Sequence, residues 1–287
     1  MPSNLSFVQR CCAYLNSAIS TVKQALPALM VCALSFAAIM PYKTNAWGFQ
    51  GHTYIGDLTW EYLSPEARAW VQDKLQRVDE QSLGVMITWA DRVRSTPEGR
   101  AMGPLHFANV PPTETSFVME RDCPNHRCVV GAAMNSAEVM FSNNSSEQEK
   151  AEALRVFTHW ITDLHQPLHL GFYEDRGGNS IRITYLGRHT NLHSLWDTIM
   201  LRNNMLLEPS QLATDNPLPA APGDLNAALI EWATDSNHLA REYAYKGVEH
   251  EGEVTEAYIQ RATPIVQQQL LLSAQRLAYF IEAAARL

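Results

Sequence analysis

The first 46 of the 287 residues contain no acidic side chain, although Arg10, Lys23 and Lys43 all fall there. Their apolar run, Ala25 to Met40, is short for a membrane span and follows basic residues, the order of a secretory signal. Thr44-Asn45-Ala46 offers small residues for cleavage. Residues 1–46 therefore read as a signal peptide and 47–287 as the mature domain, secreted or periplasmic. A single N-terminal anchor helix is the alternative. Cysteine is also scarce. Of five, Cys11, Cys12 and Cys32 leave with the signal, and only Cys123 and Cys128 stay, in Cys-Pro-Asn-His-Arg-Cys. One close pair in an exported chain reads as a disulfide closing a small loop. A zinc clip with His126 lacks a nearby fourth ligand. An excess of basic charge is missing too. The mature chain keeps 19 of 22 basic residues and all 30 acidic ones, taking the formal net charge from −8 to −11. That argues against a broad basic surface for duplex DNA, but not against metal ions that hold phosphate locally. No internal repeat or low-complexity segment occurs.

What is present is helical periodicity. Tyr54 to Val78 carries it, with a fresh helix start at Ser64-Pro65-Glu66. Ile87 to Arg94 ends another run, and Gly103 to Pro112 reads as a proline-bounded extended segment. Val129 to Phe141, Ser146 to Asp163, Asn191 to Arg202, Asp224 to Lys246 and Thr255 to Arg286 read as helices. Pro264 kinks or starts the last. Leu207 to Gly223 reads as a proline-rich loop, and Asp175 to Asn179 as a turn. Only Ser180 to Leu186 alternates convincingly as a strand. The chain is mainly α: a single-domain helical bundle with a small strand element.

Two His-x-x-x-Asp pairs lie on predicted helices, His159/Asp163 and His193/Asp197, each on one helix face. Pro167 breaks the first helix and sends His169 elsewhere. Glycines at 48 and 51 allow an irregular path around His52. Together with Asp91 and His106, these residues exceed what one zinc needs, since zinc takes imidazole nitrogen and carboxylate oxygen. Either pair alone would pass as a surface hydrogen bond. His189, His238 and His250 read as surface histidines, and His165 as a helix end or outer support. Asn143-Asn144-Ser145-Ser146 contains overlapping glycosylation sequons.

Read jointly, Trp47-Gly-x-x-Gly-His52, Trp89-Ala-Asp91, His106-Phe107, His159-x3-Asp163-x-x-Gln-Pro-Leu-His169, Gly177-Gly-Asn179 and His193-x-x-Trp-Asp197 resemble the zinc-dependent single-strand nucleases of fungi and plants, the S1/P1 type within the phospholipase C/nuclease superfamily. The motifs run in order from Trp47 to Asp197; the last stretch matches only in being long helices. The resemblance implies three zinc ions per chain. One is held by Asp91, His106, His159 and Asp163, and a second by His169, His193 and Asp197. The third is held by the α-amino group and carbonyl of Trp47, by His52, and by Asp163 as a bridge. It implies a metal-bridging hydroxide oriented by Asp91, a phosphate-facing Arg94 (with Arg92 as competitor), and a base stacked on Phe107 beside Asn109. Asn109 stands where fungal relatives carry aspartate, which puts base preference in question. The implied activity is endonucleolytic hydrolysis of single-stranded DNA and RNA to 5′-phosphate products, with 3′-nucleotidase activity, by a monomer with no stable protein partner and no membrane attachment when mature. A zinc phospholipase C is the nearest rival, disfavoured by Asp197 and the short Trp47-to-His52 spacing. A non-catalytic secreted zinc-binding protein is the rival from another class.

Overall fold

The computed structural model describes residues 47–202 and 206–287. The signal-peptide reading of residues 1–46, with its apolar run and cleavage point, lies outside the described residues. Among the described residues no helix is long and apolar enough to cross a membrane.

The helices are α1 (Gly48–Tyr62), α2 (Pro65–Arg77), α3 (Leu83–Ile87), α4 (Trp89–Arg92), α5 (Pro97–Met102), α6 (Met119–Asp122), α7 (Val129–Phe141), α8 (Glu147–Leu164), α9 (Leu192–Ser194), α10 (Pro209–Asp215), α11 (Leu225–Leu239) and α12 (Glu256–Ala285). α8 is the axis of the site. Its start is fixed by a capping box. Ser146 Oγ accepts from the Glu149 amide at 3.2 Å, and the Glu149 carboxylate accepts from the Ser146 amide at 2.7 Å. From Phe157 to Leu164 every residue of α8 is buried, because α7, α2, α3, α4 and α12 all pack on it. The helix ends at Leu164, before the proline. Gln166 must leave the helical region because Pro167 follows, and it does so at φ −84°, ψ 113°. Pro167–Leu170 then forms a 3-10 turn carrying His169.

Two apolar clusters flank the site. Leu154, Phe157 and Ile161 of α8 join Met86 of α3, Val130 of α7 and Phe280 of α12 in one. Trp47, Ile55 and Leu58 join Ile183, Trp196 and the Val266–Leu270 part of α12 in the other. α12 therefore runs through both, and Pro264 lies inside it as one continuous helix rather than starting it.

The structure corrects several expectations. His52 lies on a regular helix, not an irregular path. Gly51 is there for closeness, since a Cβ would stand 2.9 Å from Trp47 Cβ and 2.8 Å from Leu201 Cδ1. Gly48 alone needs its freedom, at φ +53°. Gly103–His106 is a 3-10 turn, so the extended segment begins only at Phe107. The sheet has three strands, ordered β2 (Arg188–Asn191), β1 (Arg182–Tyr185), β3 (Gly252–Glu253). β1 and β2 form an antiparallel hairpin, and β3 adds in parallel. β2 was hidden because Arg-His-Thr-Asn has no apolar alternation, and β3 is only two residues long. α10 occupies part of the expected loop 207–223; it buries no residue, so no apolar stripe marked it. The helical stretch from 191 to 202 is interrupted by a π segment, Leu195–Ile199, and α11 likewise passes into a π segment, Ala240–Tyr245.

Candidate metal centre

Six parts of the fold converge on one buried pocket. α1 supplies His52, α4 supplies Asp91, and the 3-10 turn after α5 supplies His106. α8 supplies His159 and Asp163, one turn apart on one face. His169 follows on the Pro167 turn, and His193 and Asp197 come from α9 and its π continuation. A π segment is a recurrent feature of functional sites, because it re-aims side chains that a regular helix would set apart. His52 Nε2 stands 3.4 Å from Asp163 Oδ1 and 4.0 Å from Asp91 Oδ2. His159 Nε2 lies 3.2 Å from Asp163 Oδ2, and His106 Nε2 lies 4.0 Å from Asp91 Oδ1. His193 Nε2 lies 3.0 Å from Asp197 Oδ2. Ligand-type atoms within 4.8 Å of one another fall into three groups: His52/Asp91/His159, His106/His159/Asp163 and His169/His193/Asp197.

The imidazoles are all oriented the same way. Nδ1 of His159 donates to the Ile87 carbonyl at 2.7 Å, that of His106 to Met102 at 3.1 Å, that of His169 to His106 at 2.6 Å and that of His193 to Gly177 at 2.7 Å. A carbonyl only accepts, so these four rings carry their proton on Nδ1 and turn the Nε2 lone pair inward. His52 Nδ1 meets Thr162 Oγ1 at 2.9 Å. That hydroxyl already donates to the Thr158 and His159 carbonyls, so it accepts from His52. This tethering is the pattern that fixes metal-binding imidazoles. The atoms turned inward include Nε2 of His52, His106, His159 and His169, both Asp163 oxygens, Asp91 Oδ2 and Asp197 Oδ2, all buried without a hydrogen-bond partner. Unpaired buried polar atoms are costly. So many converging, all of them zinc-type donors, fit divalent metal ions.

The electrostatics agree. Burial presses the His106 imidazole down to about 3, with the His159 charge adding to it, and burial also lowers His169. At His159 burial is overcome by the Asp163 carboxylate, which lifts the ring to about 9; Asp197 does the same, less strongly, at His193. Burial works against Asp163 itself, yet His159 and His169 hold its carboxyl well below the usual range. The carboxylates thus draw positive charge into the pocket, and a bound cation would displace the protons they attract.

Trp47 is fully buried, its Nε1 donating to the Thr162 carbonyl at 2.9 Å while its own carbonyl accepts from Gly51 at 3.1 Å. Both Trp47 and His52 are thereby pinned to Thr162. Thr162 was not legible as a site residue, and Gln166 was given no role. The Gln166 amide donates to Asp197 Oδ1, and its own oxygen accepts from the Leu168 amide at 2.5 Å. Gln166 had a signal, since it sits inside the quoted motif. His165 proves to be a helix end: Nδ1 bonds back to the Ile161 carbonyl at 2.7 Å and Arg276 donates to Nε2.

Above the pocket is a cavity of about 500 Å³ lined by Arg94, His106, Phe107, Asn109, Tyr173, Arg176, Asn179 and His193, among others. Arg94 reaches within 3.4 Å of Asp91 Oδ1, whereas Arg92 is paired with Glu80. Phe107 is 42% exposed, so it is no core aromatic. Cys123 and Cys128 are joined as a disulfide, which removes the zinc-clip alternative. His126, in that loop, is exposed, as are His189, His238 and His250.

A mainly α fold that gathers eight histidine and aspartate side chains beneath an aromatic- and arginine-lined cleft has the outline of a metal-dependent enzyme. The comparisons narrow that class. The family model described as S1/P1 Nuclease matches residues 47–286. Nuclease P1 of Penicillium citrinum is 39% identical over 198 residues, covering 67% of this chain and 73% of that protein. Endonuclease 3 of Arabidopsis thaliana is 27% identical over 81% of this chain and 86% of its own length, and nuclease S1 of Aspergillus oryzae is 32% identical over 55% of each. The chain belongs to the S1/P1 nuclease family, hydrolases of phosphodiester bonds.

Proposed function

We propose that the mature chain, cleaved after Ala46 and exported, is a three-zinc endonuclease. Its substrates are single-stranded DNA and RNA, cut to 5′-phosphate products, together with 3′-nucleotides. The observation that carries this is the set of unpartnered inward Nε2 and carboxylate atoms, each ring locked by its Nδ1, directly under the cleft. Asp91, His106, His159 and Asp163 would hold one ion. His169, His193 and Asp197 would hold the second, and the Trp47 amino terminus and carbonyl, His52 and Asp163 the third. Zinc held there would supply charge neutralisation for the phosphodiester and an activated water as nucleophile at neutral pH.

The chain's own groups do the rest. Asp91 Oδ2 is buried without a partner and accepts the proton of the attacking water. Arg94 lies beside it and places a guanidinium on the phosphoryl oxygens, where charge grows in the transition state. Phe107 presents its exposed ring to a nucleobase, and Asn109 offers both a donor and an acceptor to the base edge. Single strands are favoured because their bases are free to leave the stack.

The test is to incubate the purified chain beginning at Trp47 with single-stranded DNA, RNA, a 3′-mononucleotide and phosphatidylcholine. The expected result is hydrolysis of the first three only, abolished by chelator and restored by zinc. Lipid cleavage alone, or no turnover of any substrate, overturns the proposal.

A further inference from the structure

We infer that Tyr173 is a second base-stacking platform, holding the nucleotide next to the one on Phe107, so that the cleft recognises oligonucleotides over mononucleotides. The inference rests on the nuclease reading above and adds a substrate-length determinant to it.

Tyr173 is 76% exposed and lines the same cavity as Phe107. Its exposure is not the slackness of a loose loop. The preceding Phe172 ring stacks on Tyr245 at 4.5 Å between centroids, with Arg241 on it at 4.8 Å. The Phe172 amide donates to Tyr245 Oη at 3.1 Å, and Tyr245 Oη donates to Asp175 at 3.0 Å. The turn closes through Arg176 N to Tyr173 O and Gly177 N to Phe172 O. Phe172 is thus clamped inward and Tyr173 is left facing the cleft.

The two aromatics also share a frame. The segment carrying Phe107 is hydrogen-bonded to the one leading into Tyr173, Ala108 N to His169 O at 2.8 Å and Val110 N to Gly171 O at 3.1 Å. Two exposed rings on mutually bonded backbones, with Arg176 on the same cavity wall, make the paired aromatic and cationic surface that single strands bind. Rigid aromatic anchors bind at low entropic cost.

The experiment compares Tyr173→Ala, Tyr173→Phe and wild type on a single-stranded octanucleotide and on a 3′-mononucleotide. Tyr173→Ala should raise KM for the octanucleotide about tenfold, as loss of one stacked base implies, with kcat little changed. The mononucleotide KM should stay as in wild type, and Tyr173→Phe should restore the octanucleotide value. Equal KM shifts on both substrates, or none on either, overturn the inference while leaving the nuclease reading intact. If wild type turns over neither substrate, the nuclease reading falls and the inference with it.

Discussion

Asp163 is the residue on which most depends. Its two oxygens face His52 at 3.4 Å and His159 at 3.2 Å, with His169 Nδ1 3.6 Å away, so it touches each side of the pocket. Asp163→Ala should therefore empty two metal positions, whereas His169→Ala should empty mainly one. Elemental analysis per chain checks this, and equal single-zinc losses would count against a shared ligand. Activity should fall at least about a hundredfold in either variant, since even outer supports of metal ligands cost that much. At this scale the sequence singled out the histidines and aspartates that the fold brings together, because such residues at helical spacing announce their own chemistry. It was silent about Thr162 and Tyr173. A threonine in a helix and a tyrosine in a loop are ordinary, and only the tertiary arrangement gives each its neighbour.

At the scale of elements, α2 is fastened to the first turn of α8. The buried Lys74 ammonium pairs with Glu147 and with Asp73 at 2.7 Å, over the Trp70 ring at 4.8 Å. Hydrogen bonds from Arg77 and Lys74 hold the Asp73 carboxyl down at about 2, and Lys74 lowers Glu147. Depressed carboxylates stabilise the fold fully above their unfolded values near about 4, and this is lost as pH falls through the folded values. Both carboxylates are largely exposed, so the effect is small, under about 1 kcal/mol. Lys74→Met should remove part of the drop in unfolding temperature between about pH 5 and pH 2, measured by thermal melts at several pH values; an unchanged pH slope would show that the pair contributes nothing.

Elements with a buried stripe, α7 and α8 above all, were readable from periodicity nearly to the residue. The two π segments were not, because one extra residue in a turn is set by what the helix packs on rather than by local preference. α10 and β2 were missed for the opposite reason: with little buried, they left no pattern to read.

At the scale of the molecule, export and metal loading are joined in the proposed assignment. Trp47 is fully buried, its indole fixed to α8, and any residue joined ahead of it turns its α-amine into an amide, whose nitrogen has no lone pair to offer a metal. A chain bearing one added glycine before Trp47 should then fold with normal helicity but carry one zinc fewer, and lose most of its activity. Full zinc content and activity in that variant would remove Trp47 from the ligand set. The long α12, which no motif marked, matters here as well. It threads both apolar clusters and so fixes the half of the protein that holds Trp47 relative to the half that holds His159.

Four of the five imidazoles are aimed by main-chain carbonyls, those of Ile87, Met102, His106 and Gly177. A carbonyl persists whatever side chain the residue carries. The aiming of His159 and His106 therefore depends on where the backbone runs at positions 87 and 102, not on which side chains stand there. Position 162 is the exception, because there a hydroxyl does the aiming, and replacement by valine would set His52 loose.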